Sequence, residues 1–269
     1  MRVAVLLVLA GTAGCGRLAF DETTSGVDGD DAVDDALMVA RCGDPVIAPA
    51  TLRMTGKTFS FGNFQGAISL QTSVAASVRE RVSGTVLAMT TSDATTADYS
   101  VDIPAGGHAP DAVLVYSRTP DLFTTTVFLD RPLARDLVGD TTVWNPGNGS
   151  VWGGAEMAVV YGSGGDGSHS RDSLKGTITF EVRDCVGVPI PNVTLTLTPA
   201  PEILLYQSTT GGIDGSRSDT EGTYGSAVAF NAEPGATHVE ATGPGFTFDP
   251  MDVTVSAGDS MDMVVVRGY

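Results

Sequence analysis

From about Thr51 onward the chain is written in short runs in which apolar and polar residues alternate, broken by Gly, Pro, Asp and Asn. Residues 177–182 put Ile178, Phe180 and Val182 on one face. Residues 193–198 put Val193, Leu195 and Leu197 opposite Thr194, Thr196 and Thr198. A period of two is the signature of a strand with one buried face. Further strands are predicted over 203–206, 224–230, 237–241, 252–255 and 261–266. Many short strands with no helical period predict an antiparallel β-sandwich. Pro189 and Pro191 fall at a turn before a strand, where a missing N–H costs little. The earlier part of the chain is less regular. Val113, Val115, Val127 and Leu129 keep the alternation, Gly66-Ala67-Ile68 reads as a short strand, and residues 157–161 read as another.

The opening residues break this pattern. Arg2 precedes an apolar run over residues 3–10, too short to cross a bilayer as a helix and suited to the core of a secretory signal. Thr12-Ala13-Gly14-Cys15 follows and resembles the lipobox of bacterial lipoproteins, with Thr12 where Leu is usual. The resemblance implies lipidation of Cys15, removal of residues 1–14, and anchoring to a bacterial membrane, the outer one expected. The other reading is an ordinary signal peptide that happens to hold a cysteine. Residues 21–44 then carry eight acids against one Arg, which reads as an extended acidic tether over 15–45. A calcium loop built on Asp28, Asp30, Asp31, Asp34 and Asp35 is disfavoured, because Val33 and Val39 occupy the Gly and Glu positions an EF-hand needs.

Composition sharpens the picture. The 269 residues suffice for two domains of average size. With 15 basic and 32 acidic residues the net charge is −17, which argues against a nucleic-acid partner. Hydrophobic residues at 42% exclude wholesale disorder. Three cysteines leave Cys42 and Cys185 once Cys15 is lipidated. In an exported chain the two can form a bridge worth up to ~5 kcal/mol, or stay as separate thiols.

A family resemblance rests on motifs in series. Residues 176–184 (GTITFEVRD), 187–193 (GVPIPNV), 218–224 (SDTEGTY), 234–239 (PGATHV), 243–246 (GPGF) and 253–258 (VTVSAG) follow one another. The series resembles the carboxypeptidase regulatory-like domain, a prealbumin-like β-sandwich, over 174–269. Residues 92–104 resemble the stretch from Ser218 onward, without a Gly between Asp93 and Tyr99, and Ala105-Gly106-Gly107 stands where the other unit has Pro234-Gly235. The expected architecture is therefore all-β: two sandwiches in tandem, a degenerate copy over 46–138 and a clearer one over 174–269. Between them, 139–173 is a Gly-rich connector carrying Trp144 and Trp152.

Candidate chemistry is sparse. His108, His169 and His238 show no ligand spacing, and His238 is expected to face solvent. The chain has no H-E-x-x-H, C-x-x-C, G-x-S-x-G or phosphate-loop motif. No cofactor, metal site or catalytic residue is expected. Trp144, Trp152 and Tyr161 either stack on sugar rings or pack between the units. Asp214, Asp219 and Glu221, within 211–222, either hold calcium or line a solvated hairpin. The family resembled is an accessory, non-catalytic module. The expected function is adhesion or assembly in the cell envelope, with a polysaccharide or envelope protein as partner; the alternative is a carbohydrate-binding accessory module, and a hydrolase is the least expected.

Overall fold

The structure is a computed structural model, and it describes residues 50–62, 67–105, 112–117, 124–128, 143–144, 149–150, 171–209, 213–258 and 260–269. Every regular element described is a strand, so the chain is all-β, as its alternation predicts. The first half supplies β1 (Thr51–Gly62), β2 (Ala67–Leu70), β3 (Ala75–Glu80), β4 (Val86–Thr91), β5 (Asp98–Pro104), β6 (Ala112–Ser117) and β7 (Thr124–Phe128). The connector holds β8 (Val143–Trp144) and β9 (Gly149–Ser150). The second half supplies β10 (Gly176–Asp184), β11 (Thr194–Thr198), β12 (Ile203–Gln207), β13 (Ile213–Asp214), β14 (Ser226–Ala232), β15 (Gly235–Thr242), β16 (Met251–Val255) and β17 (Ser260–Gly268). The strand expected at 157–161, like Leu129, lies outside the described residues.

Three sheets result. The largest has nine strands in the order β13-β12-β14-β10-β17-β7-β6-β3-β4 and so passes through both halves. A five-stranded sheet is built on β2-β1-β5, with β8 and β9 also pairing with β1. A three-stranded sheet runs β11-β15-β16. Most pairings are antiparallel, but β10 with β17 and β17 with β7 are parallel, so the shared sheet is mixed.

Alternation along the shared sheet assigns its two faces to different cores. Ile178, Phe180, Val264 and Val266 point to one face and pack with Leu195, Leu197, Val239, Val253 and Val255 of the three-stranded sheet. Val113 and Phe128 from the first half join this core. The alternate residues of β6, Ala112, Leu114 and Tyr116, point the other way and pack with Leu52, Met54, Tyr99, Val101 and Ile103 of the five-stranded sheet. Because side chains alternate strictly, one strand can serve two cores. The result is two sandwiches sharing a long sheet, with the smaller sheets on opposite faces and opposite ends. Beyond the five-stranded sheet, that second face continues as a small cluster of Leu205, Val228, Phe230 and Met261.

The halves repeat at the level of hydrogen bonds. In the second, Thr220 N–H donates to the Val193 carbonyl (2.9 Å), Asn192 N–H to the Thr220 carbonyl (2.8 Å), and Val193 N–H to Thr220 Oγ1 (3.0 Å). In the first, Ser92 N–H donates to the Val74 carbonyl (2.8 Å), Ser73 N–H to the Ser92 carbonyl (3.2 Å), and Val74 N–H to Ser92 Oγ (2.9 Å). Ser73 and Asn192 share a left-handed φ of 58° and 59°, and Ala97 and Gly225 share one of 60° and 62°. These bonds match Ser92-Asp93 with Thr220-Glu221, two residues beyond the match to Ser218-Asp219 that the sequence motif suggests. The motif match pairs Tyr99 with Tyr224, but Tyr99 lies in strand β5, whereas Tyr224 sits in the turn before β14.

Candidate functional site

Asp214, Asp219 and Glu221 lie at turns of the second half, and each is bonded within its own turn. Asp214 Oδ1 accepts from Ser216 N–H (2.9 Å) and from Ser216 Oγ–H (2.6 Å). The serine hydroxyl is the main reason its carboxyl is held below the usual range. Asp219 accepts from the Arg217 guanidinium at 2.8 Å. Buried Glu221 accepts from Thr223 N–H (2.8 Å) and Tyr224 N–H (2.7 Å). The three carboxylates thus serve backbone and a neighbouring arginine, and they do not converge on a common point. Among the described residues, no group of three or more His, Cys, Asp or Glu side chains has metal-holding geometry.

The first half carries the same device. Asp93 Oδ1 accepts from Thr95 N–H (2.7 Å) and Thr96 N–H (2.8 Å). Those two amides, Thr96 foremost, hold its carboxyl below the usual range. A carboxylate capping the amides two and three residues ahead turns the chain sharply into the next strand. Asp93 and Glu221 are therefore turn-formers, one in each half.

His238 and its neighbours form a polar outward face on the three-stranded sheet. β15 buries Thr237 and Val239, so His238 and Glu240 point away from the core, as the alternation predicts. His238 Nδ1 lies 2.7 Å from Asp252 Oδ1, its cross-strand partner, and Nε2 lies 3.6 Å from Glu240 Oε1. The hydrogen bond to Asp252 raises the imidazole above its ordinary pKa.

Other predicted positions fall as follows. Cys185 is disulfide-bonded. Its Sγ sits 3.7 Å from the Gly268 carbonyl oxygen, at the end of β17. Cys15 and Cys42 lie outside the described residues, as do Trp152, Tyr161, His108, His169 and the tether acids. Trp144 stands in β8, paired in parallel with β1 and in register with Met54, whose side chain is wholly buried.

The buried polar side chains that sequence does not single out include a tyrosine pair and an aspartate. Tyr99 and Tyr116 share a hydroxyl–hydroxyl hydrogen bond of 2.8 Å inside the first core, with rings edge-on at 5.8 Å. Burial pushes the Tyr99 phenol up to about 12 and Tyr116 well above its ordinary value. Asp262 is fully buried in β17. Its Oδ2 accepts from Ser256 N–H at 2.8 Å. The alternation carried that signal, since Asp262 shares a face with Val264 and Val266. Among the described residues the arrangement offers scaffolding: turns locked by their own side chains, and Tyr99, Tyr116 and Asp262 sealed in cores.

Comparison with known proteins yields no matching family model and no matching curated relative. Among solved structures, the Bacillus anthracis TIE protein is 9% identical with a TM-score of 0.25, covering 81% of this chain and 34% of that one. The major pilin T-13 from Streptococcus pyogenes is 9% identical with a TM-score of 0.22, covering 83% of this chain and 98% of that one. The major pilin RrgB from Streptococcus pneumoniae is 8% identical with a TM-score of 0.27, covering 84% and 49%. This chain thus spans about a third of the first protein and about half of the last. TM-scores of this size do not mark a shared fold.

Proposed function

We propose that the chain is a non-catalytic, lipid-anchored envelope protein whose β-sandwich modules serve adhesion or assembly. The observation that supports this reading is how the turn side chains are spent. Glu221, Asp93 and Asp214 are each bonded to the backbone of their own turns, and the hydroxyls of Thr220 and Ser92 accept from the backbone of a neighbouring segment, at Val193 and Val74. Rigid loops on paired sandwiches suit presentation of a surface more than turnover of a substrate. On the same reading, 174–269 is a module resembling the carboxypeptidase regulatory-like domain and 46–138 a diverged copy. With Cys15 carrying lipid, Cys42 is the cysteine left to bond Cys185, which would clasp the tether to the end of β17.

The test replaces Cys15 with Ser in the full chain. The variant is expected to lose lipid labelling and detergent-phase partitioning, and the released protein should bind isolated envelopes saturably. Retention of an unprocessed, membrane-bound variant would show that the apolar run itself is the anchor. Specific binding on a glycan array, abolished by Trp152→Ala, would replace adhesion or assembly by carbohydrate recognition.

A further inference from the structure

Asp262 sits where the two halves join. Among the described strands, the halves share the long sheet through one pairing, β17 with β7, over Ser260–Val264 and Thr124–Phe128. Across that sheet Asp262 lies in one row with Val115 of β6, Thr126 of β7, Ile178 of β10, Ala229 of β14 and Leu204 of β12. It is the row's sole ionisable side chain. Val253 and Val255 of β16 belong to the core on this same face. The charged groups of the three-stranded sheet, His238, Glu240 and Asp252, lie on its outward face. Arg171 approaches the β16–β17 turn, but its guanidinium donates to the Gly258 carbonyl at 2.6 Å. Asp259 of that turn lies outside the described residues. The carboxyl's partners are Ser256 N–H at 2.8 Å, Ser256 Oγ at 3.4 Å and the Thr126 hydroxyl.

We propose that Asp262 makes the seam between the halves a proton-operated latch: the closed seam belongs to the neutral carboxyl, and loss of its proton loosens β7 from β17 while both outer cores stay folded. Among the described residues the Arg81 guanidinium lies over the Phe128 ring of this core, 5.7 Å from its centroid, and the carboxyl itself is met only by hydrogen-bonding dipoles. A carboxylate there would be a buried charge that low-dielectric surroundings penalise. Burial pushes the carboxyl up to about 7, with the Ser256 and Thr126 hydrogen bonds opposing it only in part. A folded-state value raised above that of the opened chain means the stabilisation is complete below the ordinary carboxylate range. It is lost as pH rises through about 7.

Hydrogen exchange on the full chain tests this, with rates corrected for the intrinsic pH dependence of exchange. Seam amides in 124–128 and 260–264 should open about tenfold more readily at about pH 8.5 than at about pH 6, while amides of β11 and β15 stay level. Asp262→Asn, which mimics the neutral carboxyl, should flatten the seam profile. His238→Gln, which removes the imidazole on the outward face of the three-stranded sheet, should leave it intact. If the Asn variant does not fold, the wild-type Asp262 carboxyl carbon still reports by NMR, and its titration midpoint must coincide with the opening of the seam. A flat wild-type profile, a slope that survives in Asp262→Asn, or a carboxyl titrating in the ordinary range would each overturn the latch.

Discussion

Ala97 and Gly225 occupy the same place in the two capped turns, both left-handed, yet one is alanine and the other glycine. The surroundings explain the difference. A Cβ on Gly225 would fall 2.6 Å from the Val182 carbonyl oxygen and 2.9 Å from Pro189 Cβ, on top of the positive φ. Gly225→Ala should therefore destabilise by roughly 2–4 kcal/mol, through backbone strain and overpacking together. Ala97→Gly relieves about 1 kcal/mol of strain, but it gives up a buried methyl and frees the unfolded chain, so it should be neutral within about 1 kcal/mol. Chemical denaturation of both variants checks the pair, and equal losses would mean the turns are not equivalent. This scale also shows where the sequence was opaque. An Asp-Ala-Thr-Thr-Ala run and a Glu-Gly-Thr-Tyr-Gly run share only a Thr, Thr95 and Thr223, too little to reveal common hydrogen bonds, since either acid can cap the amides ahead. The motif match therefore settled on Ser218-Asp219, where the letters agree, and not on Thr220-Glu221, where the bonds do.

Strands whose alternation is clean and whose turns carry Gly or Pro were legible in advance: β10, β11, β12, β15, β16 and β17 lie where the pattern places them. The expected strand over 224–230 begins instead at Ser226, because the Glu221 cap holds Thr223 and Tyr224 in the turn. The first half was harder. β1 mixes Lys57, Thr58 and Gly56 into its run, and Gly56 makes sense only once its neighbour is known. Tyr99 stands opposite it in register, and a Cβ on Gly56 would fall 2.6 Å from the Tyr99 ring. The glycine makes room for that ring to lie across β1 and reach Tyr116 of the facing sheet. The hydroxyl pair thereby ties β5 to β6 across the first core. Tyr99→Phe and Tyr116→Phe should each cost about 1–3 kcal/mol, because each strands a buried hydroxyl. The double replacement should cost little more than either alone, a coupling that a double-mutant cycle measures directly. Additive losses would show that each hydroxyl has another partner.

At the scale of the whole molecule, the two units recognisable in the sequence are joined by a seam that no local pattern announces. Whether β17 ends a sheet or continues into β7 depends on pairing between residues far apart in the chain. Alternation specifies which face is buried, not which strand lies alongside. The seam changes what each unit needs. β17 as a sheet edge would leave its outer backbone groups unpaired, and the core of the second unit would lose Val113 and Phe128. Residues 174–269 expressed alone should still unfold cooperatively as an all-β unit, since both of its own sheets are present. They should be less stable than the same residues within the full chain by about 2 kcal/mol or more, from the large buried phenyl ring alone. For a fragment of this size that corresponds to a melting temperature lower by roughly 10 °C. The measurement is thermal circular dichroism with Cys185→Ser in every chain compared, so that the disulfide does not contribute. A longer fragment starting at residue 112, which restores β6 and β7, should recover most of the loss. A short fragment as stable as the full chain would mean that β7 and β17 lie side by side without holding each other.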